Sequence, residues 1–319
     1  MKSVKTIQEY KELLQNKALI SLQLPRNLSQ THLKEIIAAL DKDNCCLEKI
    51  DFSHISFDTT SLRELIKVLA KLKSLKELIF SSNKLTTSDL SYFTFLLNNN
   101  ESIEVLKLSH NQFGYCTKSS IQFYNFAKAL SKHNKLIELD LSYNKMPSFQ
   151  LLPIIERLQE KAALHSLNLS GNKIDSSGMY ELAKLLRISK SLTKLSLAYN
   201  SDPLSAKPSN PHKSLAGGYF LPILDALKSN ALSLRELDLK GNDLGEKDLS
   251  LLKTVLKINK NLSCIVSDKD LVKNTNPSSQ PEGPKNQSEQ ILNDSKYATE
   301  NDSRYATDEF TSYLKPHLH

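Results

Sequence analysis

The strongest constraint in this 319-residue sequence is a nine-residue phrase, Leu-x-x-Leu-x-Leu-x-x-Asn, that recurs along most of the chain. Its most regular copy runs from Leu164 to Asn172. Copies begin at Leu19, Leu47, Leu75, Ile103, Leu136, Leu164, Leu192, Leu234 and Leu262, so the step is 28 residues except for one of 33 and one of 42. Those two steps are insertions of 5 and 14 residues. The last two leucines of the phrase stand two apart, on one side of an extended segment, while the residue between them points the other way. The second half of each copy has a helical pattern: Asp175 precedes Leu182, Leu185 and Leu186, and Leu62, Leu65, Ile66 and Leu69 repeat the spacing. Each copy is therefore one strand and one helix, with an apolar wedge that no copy covers alone. Stacking supplies the missing wall. The expected fold is an α/β solenoid over residues 18–267. Residues 1–17 form a helical cap before it, carrying Ile7, Tyr10, Leu13 and Leu14 on one face. Residues 268–319 read as a polar, disordered tail, with Pro277, Pro281 and Pro284 among Asn, Ser, Gln and Glu.

The Asn that closes the phrase recurs as Asn83, Asn111, Asn144, Asn172, Asn200 and Asn242. It falls where the chain leaves the strand, and its amide is suited to pair with backbone groups that the turn strands inside the stack. The column is expected to be structural. With nine copies in register, residues 18–267 resemble the ribonuclease-inhibitor type of leucine-rich repeat. That resemblance implies a horseshoe with a parallel β-sheet on its concave face and α-helices on its convex face. Departures are local: Ile55 stands in place of Asn in the second copy, Pro25 follows the first strand, and Ser267 replaces the second strand leucine of the last copy.

Composition narrows the function. No run approaches the roughly 18 apolar residues that span a bilayer. Lys2, Lys5, Glu9, Lys11 and Glu12 interrupt the amino terminus, which argues against a cleaved signal peptide. The four cysteines have neither zinc-site spacing nor a disulfide framework, and a reducing cytoplasmic setting is expected. From Asp268 onward there are six Lys/Arg and nine Asp/Glu, so the net +7 of the chain divides into −3 on the tail and +10 on residues 1–267. A basic body raises nucleic acid as a partner. The outward strand positions argue against it, because their signs alternate (Lys49, Asp51; Glu77; Lys107; Glu138, Asp140; Lys194; Glu236, Asp238) where a phosphate-tracking groove needs clustered cations. The excess positive charge is assigned to the solvated convex face, as at Lys67, Lys71 and Lys73.

Two apolar residues, Ile79 and Val105, break the polar pattern on adjacent strands. The eighth position of the phrase carries His54, His110, Tyr143 and Tyr199, amphipathic rings on a rim of the kind that anchors interfaces. Both insertions, with Tyr115 in one and Leu204 and Tyr219 in the other, fall between strand and helix and so on the same rim. These residues, with Lys107, Glu138, Asp140 and Lys194, make up the candidate partner-binding set. Signs of chemistry are weak. Gly114 to Ser119 lacks a glycine of the phosphate-binding loop. His54 and His110 stand two strands apart, about 10 Å, too far to share a zinc ion. Ser109, Asp140, His110 and Ser142 come with no oxyanion hole. The expectation is a non-catalytic protein with no cofactor and no metal, binding a partner protein through the concave face and the rim. Its wording and polar end resemble leucine-rich-repeat effectors that intracellular bacterial pathogens deliver into host-cell cytosol. The alternative is an endogenous cytosolic regulator, an inhibitor or GTPase-activating scaffold. The tail also carries a duplication, Asn293 to Glu300 and Asn301 to Asp308, with Tyr297 and Tyr305 in acidic settings. It reads as a solvated replicate, with phosphorylation or docking as the competing reading.

Overall fold

The computed structural model describes residues 7–15, 19–26, 28–41, 46–115, 121–159, 163–200, 219–228, 233–242 and 244–266, together with the backbone of 271–272. The chain divides into compact units of residues 1–274 and 275–319. Within the stretch expected to be a disordered tail, Leu271–Val272 instead pairs as a strand at the end of the sheet, and the other tail readings lie outside the described residues.

Strand and helix alternate as the phrase requires: α1 (Ile7–Gln15), β1 (Ser21–Gln23), α2 (Gln30–Leu40), β2 (Lys49–Asp51), α3 (Thr59–Leu69), β3 (Glu77–Ile79), α4 (Leu90–Asn99), β4 (Val105–Lys107) and α5 (Ile121–Lys132). There follow β5 (Glu138–Asp140), α6 (Ser148–Leu158), β6 (Ser166–Asn168), α7 (Ser176–Ile188), β7 (Lys194–Ser196), α8 (Leu221–Ala226), β8 (Glu236–Asp238), α9 (Glu246–Ile258), β9 (Ser263–Ile265) and β10 (Leu271–Val272). All ten strands form one open sheet in sequence order. β1 to β9 are parallel, and β10 returns antiparallel to β9. The fold is the expected α/β solenoid.

The core lies between sheet and helices. The inward strand columns, Ile50, Leu78, Leu106, Leu139 and Leu167 beside Phe52, Phe80, Leu108, Leu141 and Leu169, are at most 1% exposed. Burying each such side chain contributes about 1.5–3 kcal/mol. In the early copies phenylalanine takes the second column, and Phe52 stacks on Phe80 at 5.1 Å while Phe93 of α4 meets Phe80 edge-on at 5.2 Å. In α1, Leu14 is buried, and Ile7 and Tyr10 pack against the same core.

One expectation needs correction. Glu236 pairs with Ser263 and Leu237 with Cys264, a step of 27 residues where the leucine count gave 28. The buried strand residue of the ninth copy is Cys264, and Ile265 takes the outward position, while Ser267 lies outside the described residues. The terminal strand has no parallel successor to enforce the phrase, and a one-residue shift exchanges its faces. Burial pushes the Cys264 thiol up to about 12, with Asp238 adding to the effect.

Candidate interaction surface on the sheet and its turn edge

The edge of the sheet where strands pass into turns is held by the Asn column. Asn111 Oδ1 accepts from the backbone N–H of Asn83 at 2.9 Å and of Leu85 at 3.1 Å, and its Nδ2 donates to the carbonyls of Phe80 and Leu108, both at 2.9 Å. Asn144 accepts from Asn111 N–H at 3.1 Å and donates to Leu108 and Leu141 carbonyls, each at 3.0 Å. Asn172 receives Met146 N–H, Asn200 receives Ile174 N–H, and Asn242 receives Asn200 N–H. Each side chain reaches back to the preceding copy. Asn83 thus holds the Ile55 N–H at 2.6 Å and the Phe52 carbonyl at 2.9 Å, so the buried Ile55 ends the ladder without breaking it further along. A second polar column, not singled out from the sequence, runs at the helix C-termini: Asn100 Nδ2 donates to Leu69 and Leu72 carbonyls, and a His133 ring nitrogen lies 2.9 Å from the Asn100 carbonyl.

The eighth position has a conformation that its side chains do not advertise. His54, Ser82, His110, Tyr143 and Tyr199 have φ between 53 and 61°, and Gly171 and Gly241 occupy the same column at 63 and 67°. This left-handed backbone suits glycine and costs other residues roughly 1–2 kcal/mol. Tyr143 stacks on His110 with centroids 4.4 Å apart and planes 7° from parallel. Its other side covers Gly171, where an added Cβ would come within 2.3 Å of the ring. Beyond that glycine, Tyr199 lies 6.2 Å from Tyr143 and covers Gly241 in the same way, with the Lys240 ammonium 5.8 Å from its ring. The result is an exposed strip over the ends of β4 to β8. Burial pushes the Tyr143 phenol up, with Tyr199 adding to it, so the hydroxyl stays protonated.

Outward positions of β2 to β8, with the residue two past each strand, hold six carboxylates (Asp51, Glu77, Glu138, Asp140, Glu236, Asp238) and four lysines (Lys49, Lys107, Lys194, Lys240). They pair across strands: Lys49 with Glu77 at 2.9 Å, Lys107 with Glu138 at 3.0 Å and Glu77 at 3.9 Å, and Lys194 with Glu236 at 3.0 Å. Burial works to lower the pKa of Lys107, but the hydrogen bond and charge of Glu138, then Glu77 and Asp140, outweigh it and hold the ammonium above the usual lysine value. The aspartates have a local task. Asp51 accepts from Ser53 N–H at 2.8 Å, Asp140 from Ser142 N–H at 2.9 Å, Asn168 from Ser170 N–H at 3.1 Å and Asp238 from Lys240 N–H at 3.0 Å. This is an Asx turn that gives the departing backbone an acceptor. Ile79 and Lys107 occupy the same column and cannot make it.

The candidates therefore separate. Ile79 and Val105 are half-buried diagonal neighbours, since Ile79 registers with Lys107 and Val105 with Glu77 and Glu138. His110, Tyr143 and Tyr199 form the strip, while His54 lies farther along the same column. Tyr115 is exposed and accepts a 2.9 Å hydrogen bond from Lys145. Tyr219 turns toward the scaffold: it packs edge-on against buried Phe220, and its hydroxyl donates to the Asn200 carbonyl at 2.9 Å. Leu204 lies outside the described residues. The helix face, expected to carry solvated lysines, also exposes rings that the sequence pattern did not single out: Phe95, Phe149, Tyr124 near Arg157, and Tyr180 beside Lys184 at 4.8 Å. No described helix is long and apolar enough to cross a membrane.

A family model described as Leucine Rich repeat matches residues 163–183 and 230–253, which carry β6 and β8 with the first turns of the helices that follow. No curated protein matches the chain. With nine parallel strands alternating with helices, this is the architecture of a leucine-rich-repeat protein. Such repeats generally serve as non-catalytic scaffolds for protein–protein interaction.

Proposed function

We propose that this protein is a non-catalytic binding module of the ribonuclease-inhibitor repeat type that grips a partner protein with its sheet face and the adjoining turn edge. The observation that carries the reading is the ring strip on left-handed backbone. Gly171 and Gly241 meet the same backbone requirement without strain. Stacking of aromatic pairs contributes about 0.5–1.5 kcal/mol, no more than the strain of about 1–2 kcal/mol that it offsets. Stability alone therefore does not favour His110, Tyr143 and Tyr199 over glycine, whereas rigid amphipathic rings at an edge are suited to anchoring a partner. The faces of Tyr143 are already covered by His110 and Gly171, although the residue keeps 37% of its surface exposed. That favours hydrogen-bonded protein contact over a platform for stacking bases.

Resemblance to effectors extends the proposal: the partner is a host protein, and residues 268–319 serve delivery rather than binding. Affinity capture from host-cell lysate tests both parts. Wild type should retain a specific protein that a Tyr143→Gly/Tyr199→Gly variant loses at equal stability, while removal of residues 268–319 abolishes delivery into host cells and leaves capture intact. Equal capture by the glycine variant would move the site off this edge, and undiminished delivery without the tail would end its assigned role.

A further inference from the structure

The charges on the sheet face narrow what fits it. Residues 1–267 carry +10, yet β2 to β5 present Asp51, Glu77, Glu138 and Asp140 against only Lys49 and Lys107. Both lysines are already engaged, and Lys107 stands between two glutamates at 3.0 and 3.9 Å. The face is thus locally acidic on a basic body. Ile79 and Val105 sit within this field, the outward apolar pair on β3 and β4. Excess carboxylate around a small apolar centre repels phosphate and acidic peptides and attracts a segment with the opposite arrangement.

We infer that β3 to β5 bind a basic segment of a partner protein, with an aliphatic side chain seated on Ile79 and Val105 and flanking Arg or Lys paired with Glu77, Glu138 and Asp140. The inference rests on the reading that the sheet face binds protein. Where Asp or Asn makes the turn bond in the fifth column, Gln23, Ile79, Lys107 and Ser196 depart from it, and Ile79 and Lys107 do so on adjacent strands within the acidic excess. Asp140 serves both scaffold and charge, and its two roles are separable. Asn168 makes the same turn bond without charge, so Asp140→Asn should keep the fold.

The test uses the full chain and three short fluorescein-labelled peptides, of Arg and Leu, of Arg and Ser, and of Glu and Leu. The Arg/Leu peptide should bind, more weakly as salt is raised, with the other two at least about tenfold weaker. Glu77→Gln/Asp140→Asn and, separately, Ile79→Ser/Val105→Ser should each cost about tenfold in affinity at an unchanged unfolding midpoint. Binding of the Glu/Leu peptide, or unaltered Arg/Leu binding by the charge variant, overturns the inference. A photo-crosslinking residue at Val105 separates the two levels with the natural partner. A crosslink to a non-basic segment defeats this inference and leaves the sheet face as the binding site, whereas crosslinks only from positions on the helices defeat both.

Discussion

Residues of the repeat divide into those that hold the backbone and those that the backbone tolerates, and the division is sharpest at two neighbours, Tyr143 and Asn144. The Asn144 amide, fully buried, links two copies through Asn111 N–H and the carbonyls of Leu108, Leu141 and Ser142. Removing it strands several buried backbone groups at about 1–3 kcal/mol each. Asn144→Ala should therefore destabilise by about 3 kcal/mol, read as a shift of the denaturant midpoint at unchanged slope. Tyr143→Gly, one residue away and far larger in volume lost, should shift stability by less than about 1 kcal/mol, because relief of left-handed strain offsets lost stacking. Equal losses at the two positions would show that the ring is scaffold. The role of the Asn was legible in its spacing alone. The conformation beneath Tyr143 was legible too, but only by comparing copies: Gly171 and Gly241 in its column are the signal that the position demands positive φ.

Elements were readable wherever a buried column enforced them, and unreadable where nothing did. The strands follow the leucine phrase from β1 to β8, but β9 slips by one residue because Cys264 fills the inward column as well as Leu would and no later parallel strand fixes the register. Pairing of Lys49, Glu77, Lys107 and Glu138 follows from alternating sign, whereas the Asx turns of Asp51, Asp140 and Asp238 show only in the folded chain, since the spacing of an outward aspartate equally suits a binding residue. Helix starts illustrate the same economy. Asp175 caps α7 by accepting from Ser177 N–H at 3.0 Å and Gly178 N–H at 3.3 Å. Desolvation works to raise its pKa, but hydrogen bonds from Ser177, Ser148 and Gly178 outweigh it, and the value lies below that of a free aspartate. A depressed carboxylate stabilises the fold above its unfolded pKa and loses that contribution as pH falls through the folded one. Asp175→Ala should cost about 1 kcal/mol at neutral pH, the usual worth of such a cap, with the difference from wild type vanishing in acid. A gap between the two proteins that persists at pH 2 would contradict the ionised cap.

At the scale of the whole molecule, the array tolerates added chain where its ends are already brought together, and the larger insertion shows how. Lys194 to Glu236 spans 42 residues where Glu138 to Ser166 spans 28, yet β7 and β8 pair in ordinary register and carry the Lys194–Glu236 ion pair at 3.0 Å. The described residues on either side of the insertion meet directly: the Tyr219 hydroxyl donates to the Asn200 carbonyl at 2.9 Å, and Asn200 is locked into the ladder by Asn242. The solenoid is thus continuous between Asn200 and Tyr219. Loop-closure entropy varies slowly with length, by about 0.6 kcal/mol per doubling. Excising 14 residues from within 201–218, restoring the 28-residue step while keeping Asn200 and Tyr219, should leave the unfolding midpoint within about 1 kcal/mol of wild type. The same protein then isolates the rim. If the insertion, with Leu204 in it, forms a wall of the site, partner capture should fall while the Arg/Leu peptide, seated on β3 to β5 and so at least two strands from β7, binds as before. Loss of both would mean that the insertion supports the sheet itself, a result that would also appear as a lowered midpoint, and retention of both would confine the site to the sheet face and the strip of His110, Tyr143 and Tyr199.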